Sequence, residues 1–256
     1  MRERGKSLTD IGADFDALRR ETPARLGVGR AGPRYTTAAM LALRADHARA
    51  VDAVMTLVPA DWARRNGLIE VRSQAESRED YLLHPQRGRR LAPSDVVVVK
   101  RLAGQVKRKA SKPIPIVLVC VGDGLSSAAV EKNAAPLVKA LTRALVSRYR
   151  LLKPLFIRNA RVRIEDHLGE LMHPDVVCMI IGERPGLATA ESLSAYVIYR
   201  PSLKSIEPDR TVISNIHRGG IPVAAAARQI ATLIDDATKY RATGAALAKL
   251  TAPAPV

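Results

Sequence analysis

The chain has 256 residues, 47% of them apolar and 26% charged, enough to bury the core of one large domain or two small ones. No apolar run approaches a membrane span, the Met1–Lys6 start lacks the apolar stretch of a signal peptide, and Cys120 and Cys178, each inside an apolar run, offer neither a disulfide framework nor metal-ligand spacing. A formal net charge of +16 points to nucleic acid, phosphate-bearing ligands or an acidic partner, but two Phe and one Trp leave few platforms for stacking unpaired bases, and the basic residues form no single arm.

Through about residue 110 the chain reads as mostly helical, a candidate partner-docking region. Thr22-Pro23 forms an N-cap and N1 pair. The glycine-rich loop Gly27–Tyr35, with Arg30 and Arg34, could cradle phosphate through its amides or dock on a partner. Thr37 opens a long helix in which Leu43, His47, Ala50, Val54 and Val58 recur at helical spacing, so His47 reads as a packing residue. Trp62 falls in a short helix after Pro59, and Leu68–Val71 reads as a short strand. Pro85 and Gly88 break the mixed stretch 78–91, and Ser94 caps a further helix over 95–109.

At Lys112-Pro-Ile-Pro-Ile the character changes, so the boundary is placed between Lys107 and Pro113, giving segments 1–110 and 111–256. Strands are expected over 114–121, 155–158, 176–181, 193–199 and 211–214, with helices from Ser126 and over 134–150, 164–172 and 223–240; the tail 251–256 reads as disordered. Strands alternating with helices imply an α/β fold: a C-terminal Rossmann-like parallel sheet with right-handed crossovers, flanked by helices.

The run Asp175–Leu187 is the most informative: an unbroken apolar strand stops at Gly182-Glu183-Arg184-Pro185-Gly186. Open parallel sheets bind ligands beyond the carboxyl ends of their strands. The segments 122–126, 159–163, 182–187 and 215–220 would then open on one edge and line one crevice. Two local motifs offer other chemistry. Gly124-Leu-Ser126-Ser-Ala128 partly matches a hydrolase nucleophile elbow, with Asp123 an alternative cap for the helix and His167 or His217 as bases that no spacing ties to Ser126. Asn215-Ile-His217 has a histidine where some cobalamin enzymes supply a cobalt ligand, but Asn stands where Asp would polarise the ring. A stand-alone serine hydrolase and a basic nucleic-acid-binding protein are the alternative functions on these grounds.

Taken together, Thr22–Arg34, Ala45-Asp-His47, Tyr81–Leu91, Asp123–Ser126, Arg161–Asp166, Gly169-Glu170, Ile181–Leu187, Glu191–Ser194 and Asp209–His217 resemble, in order, the small subunit of adenosylcobalamin-dependent ethanolamine ammonia-lyase. The resemblance implies conversion of ethanolamine to acetaldehyde and ammonia by radical chemistry in a TIM-barrel large subunit. It implies that this chain is inactive alone and caps the cobalamin at the interface of a hexamer of heterodimers, without nucleic acid or membrane. The family's cofactor contacts fall on Val162, Glu183 and Val212; no catalytic residue or metal ligand is carried over. Ala160 stands where relatives often have Gly, and Val212 where some have Cys. A cytoplasmic protein is implied; the long tail that relatives use for microcompartment targeting is short here, so both locations stay open.

Overall fold

The computed structural model describes residues 8–22, 24–104 and 114–252, with side chains from Phe15 onward. The expectations for Met1–Lys6, Pro23, the 107–113 boundary and the last four residues of the tail lie outside the described residues.

Helix α1 (Leu8–Glu21) leads into a two-stranded hairpin, β1 (Arg30–Ala31) and β2 (Arg34–Tyr35), which holds the glycine-rich loop. Thr36 then caps α2 (Thr37–Met55), its hydroxyl accepting from the Ala39 amide at 3.3 Å. Next come α3 (Trp62–Arg65), β3 (Ile69–Arg72), α4 (Arg78–Leu83), a 3₁₀ turn (Arg87–Arg89) and α5 (Pro93–Gly104). Helix α5 starts one residue before Ser94, because proline suits a first helical position whose amide would bond nothing in the helix. The second half runs β4 (Ile116–Gly122), α6 (Ser127–Ala129), a π turn (Val130–Ala134), α7 (Ala135–Leu145), β5 (Arg150–Leu151), β6 (Leu155–Arg158) and α8 (Ile164–Met172). It ends with β7 (Val176–Gly182), β8 (Leu193–Tyr199), β9 (Thr211–Ile216), α9 (Val223–Tyr240) and α10 (Gly244–Thr251).

The expected α/β class is borne out. The main sheet has the order β3-β6-β4-β7-β8-β9, with β5 paired beside β4. Pairing is parallel from β3 to β7, and β4 and β7 are buried along their whole length, as strands covered on both faces must be. Strand β3 joins this sheet from the part of the chain before residue 110, pairing Ile69–Arg72 with Leu155–Arg158. One core layer packs Val119, Leu141, Phe156 and Ile230 under α7 and α9; the other packs Val99, Leu118, Ile157 and Leu168 under α5 and α8.

Two expectations need correction. Strands β8 and β9 pair antiparallel rather than parallel. The link 183–192 carries no helix, and a parallel return requires a crossover of a dozen or more residues. Because β9 reverses β8, it runs parallel with β7, so its carboxyl end still reaches the expected edge. His47, read as a packing residue, is exposed, as is Leu43. Helix α2 instead turns Asp46 and Ala53 inward, where Arg25 and Arg49 pair with the Asp46 carboxylate.

Candidate functional site

Two glycine-dependent strand ends, those of β4 and β7, cross at the carboxyl edge. Gly124 has φ +59°, and a Cβ there would lie 2.3 Å from the Gly182 carbonyl oxygen; one on Gly182 would lie 2.3 Å from that of Ser126. The close crossing lets the Leu125 amide donate to the Gly182 carbonyl at 3.0 Å. Asp123, expected as a possible helix cap, instead accepts from the amides of Asn159 (2.9 Å) and Ala160 (3.2 Å), fastening the end of β4 to the end of β6. Its carboxyl pKa is raised by burial, against the opposing pull of the Asn159 amide and Arg78.

Ser126 is the actual cap of α6, accepting from the Ala129 amide at 3.1 Å and donating to the Ala190 carbonyl. Fully buried and committed at both ends, it touches no histidine and cannot serve as a nucleophile. His167 accepts from the Leu91 amide at 3.0 Å. His217 donates from Nε2 to Asn215 Oδ1 (2.8 Å) and accepts at Nδ1 from the Gly219 amide (3.1 Å), so its own turn occupies both ring nitrogens and leaves none for cobalt. The Gly27–Tyr35 loop turns the Leu26 and Gly27 carbonyls toward Arg19 and shows no enclosed anion cradle.

The antiparallel end of the sheet supplies the site. Along β8, Leu193, Ala195 and Val197 enter the core under α9, so Ser194 and Tyr196 point to the opposite face. On β9, Val212 pairs with Tyr196 and Ser214 lies one period on; both are exposed. This face is the floor of a solvent-open crevice made of two neighbouring cavities, about 420 and 310 Å³, which share Arg161, Val162 and Tyr196. Val212 lines the first and Glu183 the second. The structure thus brings Val162, Glu183 and Val212 around one crevice, while Ser126 and His217 stay outside its lining.

Glu183 is held for one job. Its Oε1 accepts from the Ser194 hydroxyl and from the Asn215 amide at 3.1 Å, leaving Oε2 without a recorded partner. The connector carrying it is fastened behind by Ser126, by Lys132 Nζ to the Glu191 carboxylate (2.6 Å), and by Asn133 Nδ2 to the Glu191 carbonyl (2.8 Å). The last two anchors stand on the π turn, a feature that recurs at functional sites.

Tyr81 and Arg210, which also line the crevice, lie outside the four strand-end segments. Tyr81 lies between two guanidinium groups, with Arg161 4.0 Å and Arg78 4.9 Å from its ring centroid, and burial pushes its pKa up to about 12. Arg161 donates to the Tyr81 carbonyl at 2.9 Å, but its buried Nε has no partner. A Cβ on Gly88 would sit 2.7 Å from the Arg161 side chain, which explains the glycine in the segment 81–91. Under the first cavity, Arg210 pairs with Glu165 at 3.1 Å and with Asp166; burial raises the pKa of both carboxyls, and Arg210 opposes the rise.

A profile of the ethanolamine ammonia-lyase light chain (EutC) matches residues 13–248. The chain belongs to the ethanolamine ammonia-lyase light-chain family. It is 43% identical to the ethanolamine ammonia-lyase small subunit of Lachnoclostridium phytofermentans over 89% of this chain and 74% of that one. It is 44% identical to the Fusobacterium nucleatum small subunit, over 90% and 76%. For the Clostridioides difficile small subunit the identity is 42%, over 93% and 79%. The light-chain match spans every wall of the crevice, from Tyr81 to Ser214. Among the described residues no helix is long and apolar enough to cross a membrane.

Proposed function

We propose that this chain is the small subunit of an ethanolamine ammonia-lyase and holds adenosylcobalamin in the crevice against a large subunit. The observation that carries the reading is the convergence of Val162, Glu183 and Val212 on one open crevice in a light-chain family member. Residue chemistry supports the fit. A corrin edge presents amides and methyl groups. Glu183 Oε2 can accept from an amide N–H, and the unpartnered Nε of Arg161 and the Ser214 hydroxyl can donate to amide carbonyls, while Val162, Val212 and the Tyr196 ring offer apolar contact.

When bound, the cofactor supplies the homolysable cobalt–carbon bond needed to turn ethanolamine into acetaldehyde and ammonia. This chain's residues orient that group and exclude water from one side; the substrate and the radical chemistry belong to the large subunit, expected as a TIM barrel in a hexamer of heterodimers. His217, with both ring nitrogens satisfied within its turn, would offer no nitrogen to the cofactor's cobalt.

Co-expression with the large subunit should give a complex that deaminates ethanolamine only when adenosylcobalamin is added. Full deaminase activity of the isolated chain would overturn the reading.

A further inference from the structure

The carboxyl edge of the sheet holds another cavity, of about 550 Å³, which shares no lining residue with the crevice. It lies past the ends of β3, β6 and β4, the region where parallel sheets take their ligands, and the first turn of α5 opens onto it at Ser94. At its rim Arg72, Glu76 and Ser94 are exposed, whereas Ser73, Ala75, Arg78, Asp123 and Asn159 form a buried floor.

Two polar atoms on that floor have no partner, Arg78 Nη2 and Asn159 Oδ1. Arg78 is only 7% exposed and Asn159 9%, so bulk water does not serve them. The rest of both side chains is committed. Arg78 donates from Nε to the Val54 carbonyl (2.6 Å) and from Nη1 to the Gly124 carbonyl (2.7 Å), and neither residue lines the cavity. Asn159 donates from Nδ2 to the Ala75 carbonyl at 3.1 Å. One atom is left to each, a charged donor on Arg78 and a neutral acceptor on Asn159. Buried polar atoms are almost always paired, so this donor and acceptor call for an occupant that fills both roles.

Charge narrows the occupant. Arg158, also in the lining, is neutralised by Glu70. Among the described residues the Arg72 guanidinium and the Glu76 carboxylate have no partner, so both signs stand unspent at the rim. A plain oxyanion would face Asp95, Asp123 and Glu76 and would have no hydrogen to give Asn159. A metal ion would face the Arg78 guanidinium. A compact group of both signs meets neither objection. Its carboxylate suits Arg78, Arg72 and the positive end of the α5 dipole at Ser94, and its ammonium suits Asn159 with the acidic side chains around it.

We propose that this cavity binds a small zwitterion of the free α-amino-acid class, its carboxylate on Arg78 and its ammonium on Asn159. The site is independent of the cofactor reading above.

The test uses the full chain without cofactor or large subunit. The common free amino acids are the probes, screened by the rise in melting temperature and then titrated by calorimetry. At least one should bind one-to-one. The matching acid without its amine, and the matching amine without its carboxylate, should each bind at least about tenfold more weakly, as loss of one charged hydrogen-bonding group does. Arg78→Lys keeps the charge but not the fork of donors, and should weaken binding by a similar factor. Because Arg78 also ties α2 to Gly124, an unfolded Arg78→Lys would be replaced by Arg72→Ala, at the exposed rim, with a loss in the same direction. Failure of every amino acid to bind would overturn the proposal. Equal binding of the amine-free acid would overturn it too, by marking a plain anion site, as would native-like affinity in the folded variant. A crystal structure soaked in the best probe that showed only water between Arg78 and Asn159 would do the same.

Discussion

The two ends of the sheet are built for different purposes. From β3 to β7 the strands pair in parallel, and the central β4 and β7 are apolar and buried along their whole length. Strands β8 and β9 are antiparallel, with α9 beneath and Tyr196, Val212 and Ser214 reaching solvent above, while Ser194 on the same face is buried. An antiparallel pair can keep one face wet, while a parallel sheet almost never does. A short return between β7 and β8, in place of a crossover helix, is thus what leaves room for a ligand.

The border between the two ends is the place to break this contrast. Arg210 rises from the turn before β9 to neutralise Glu165 and Asp166 at the start of α8. Arg210→Met should cost about 3–5 kcal/mol in urea unfolding, because Glu165 is left as a buried charge without its partner. Adding Glu165→Gln should restore part of the loss; an unchanged midpoint would mean that the pair contributes nothing to the covered half. A smaller effect is expected on the open half. Glu183→Ala should weaken adenosylcobalamin binding to the complex by ~1–3 kcal/mol in equilibrium titration, by removing an acceptor already fixed in place. An unchanged dissociation constant would leave Glu183 as a turn residue only.

The smallest expected effect sharpens the contrast from the covered side. His167 on α8 accepts the Leu91 amide, which only a neutral ring can do, and burial followed by the Arg90 charge lowers its pKa. Its contribution is present above the unfolded value near ~6.5 and is lost as pH falls from there through the lowered folded value. His167→Asn keeps an acceptor that does not titrate. The stability gap between native and variant chains, read from melting temperatures, should therefore narrow as pH falls from neutral toward mildly acidic. A gap constant with pH would show that His167 does not titrate across folding.

Much of this was legible in the residues. The unbroken apolar runs gave β4 and β7, and hydrophobic periodicity gave α8 and α9 at their observed bounds. Long-range pairing was less so: Ile69–Arg72 reads as a short strand, but nothing local says that it joins β6. The direction of β8 is readable from connector length: ten residues without a helical pattern are too few for a parallel return, which overrides the strand–helix alternation. The open platform has a signal too, because Leu193-Ser-Ala-Tyr-Val alternates in the way of a strand with one exposed face. The roles of Asp123 and Arg161 were not legible, since both act on backbone or rings distant in the chain. Val162, Glu183 and Val212 came from family resemblance; spacing alone located only the edge on which they gather.

The connector 183–192, pinned by Ser126, Lys132 and Asn133, has a thermodynamic consequence. A loop that must be ordered by its ligand loses conformational freedom at the moment of association, and that loss is subtracted from affinity. Here the loss is incurred once, when the chain folds. On the proposed reading, the acceptor on Glu183 would meet each arriving ligand in the same geometry, and recognition at this wall would be governed by fit rather than by the entropy of closing a flap.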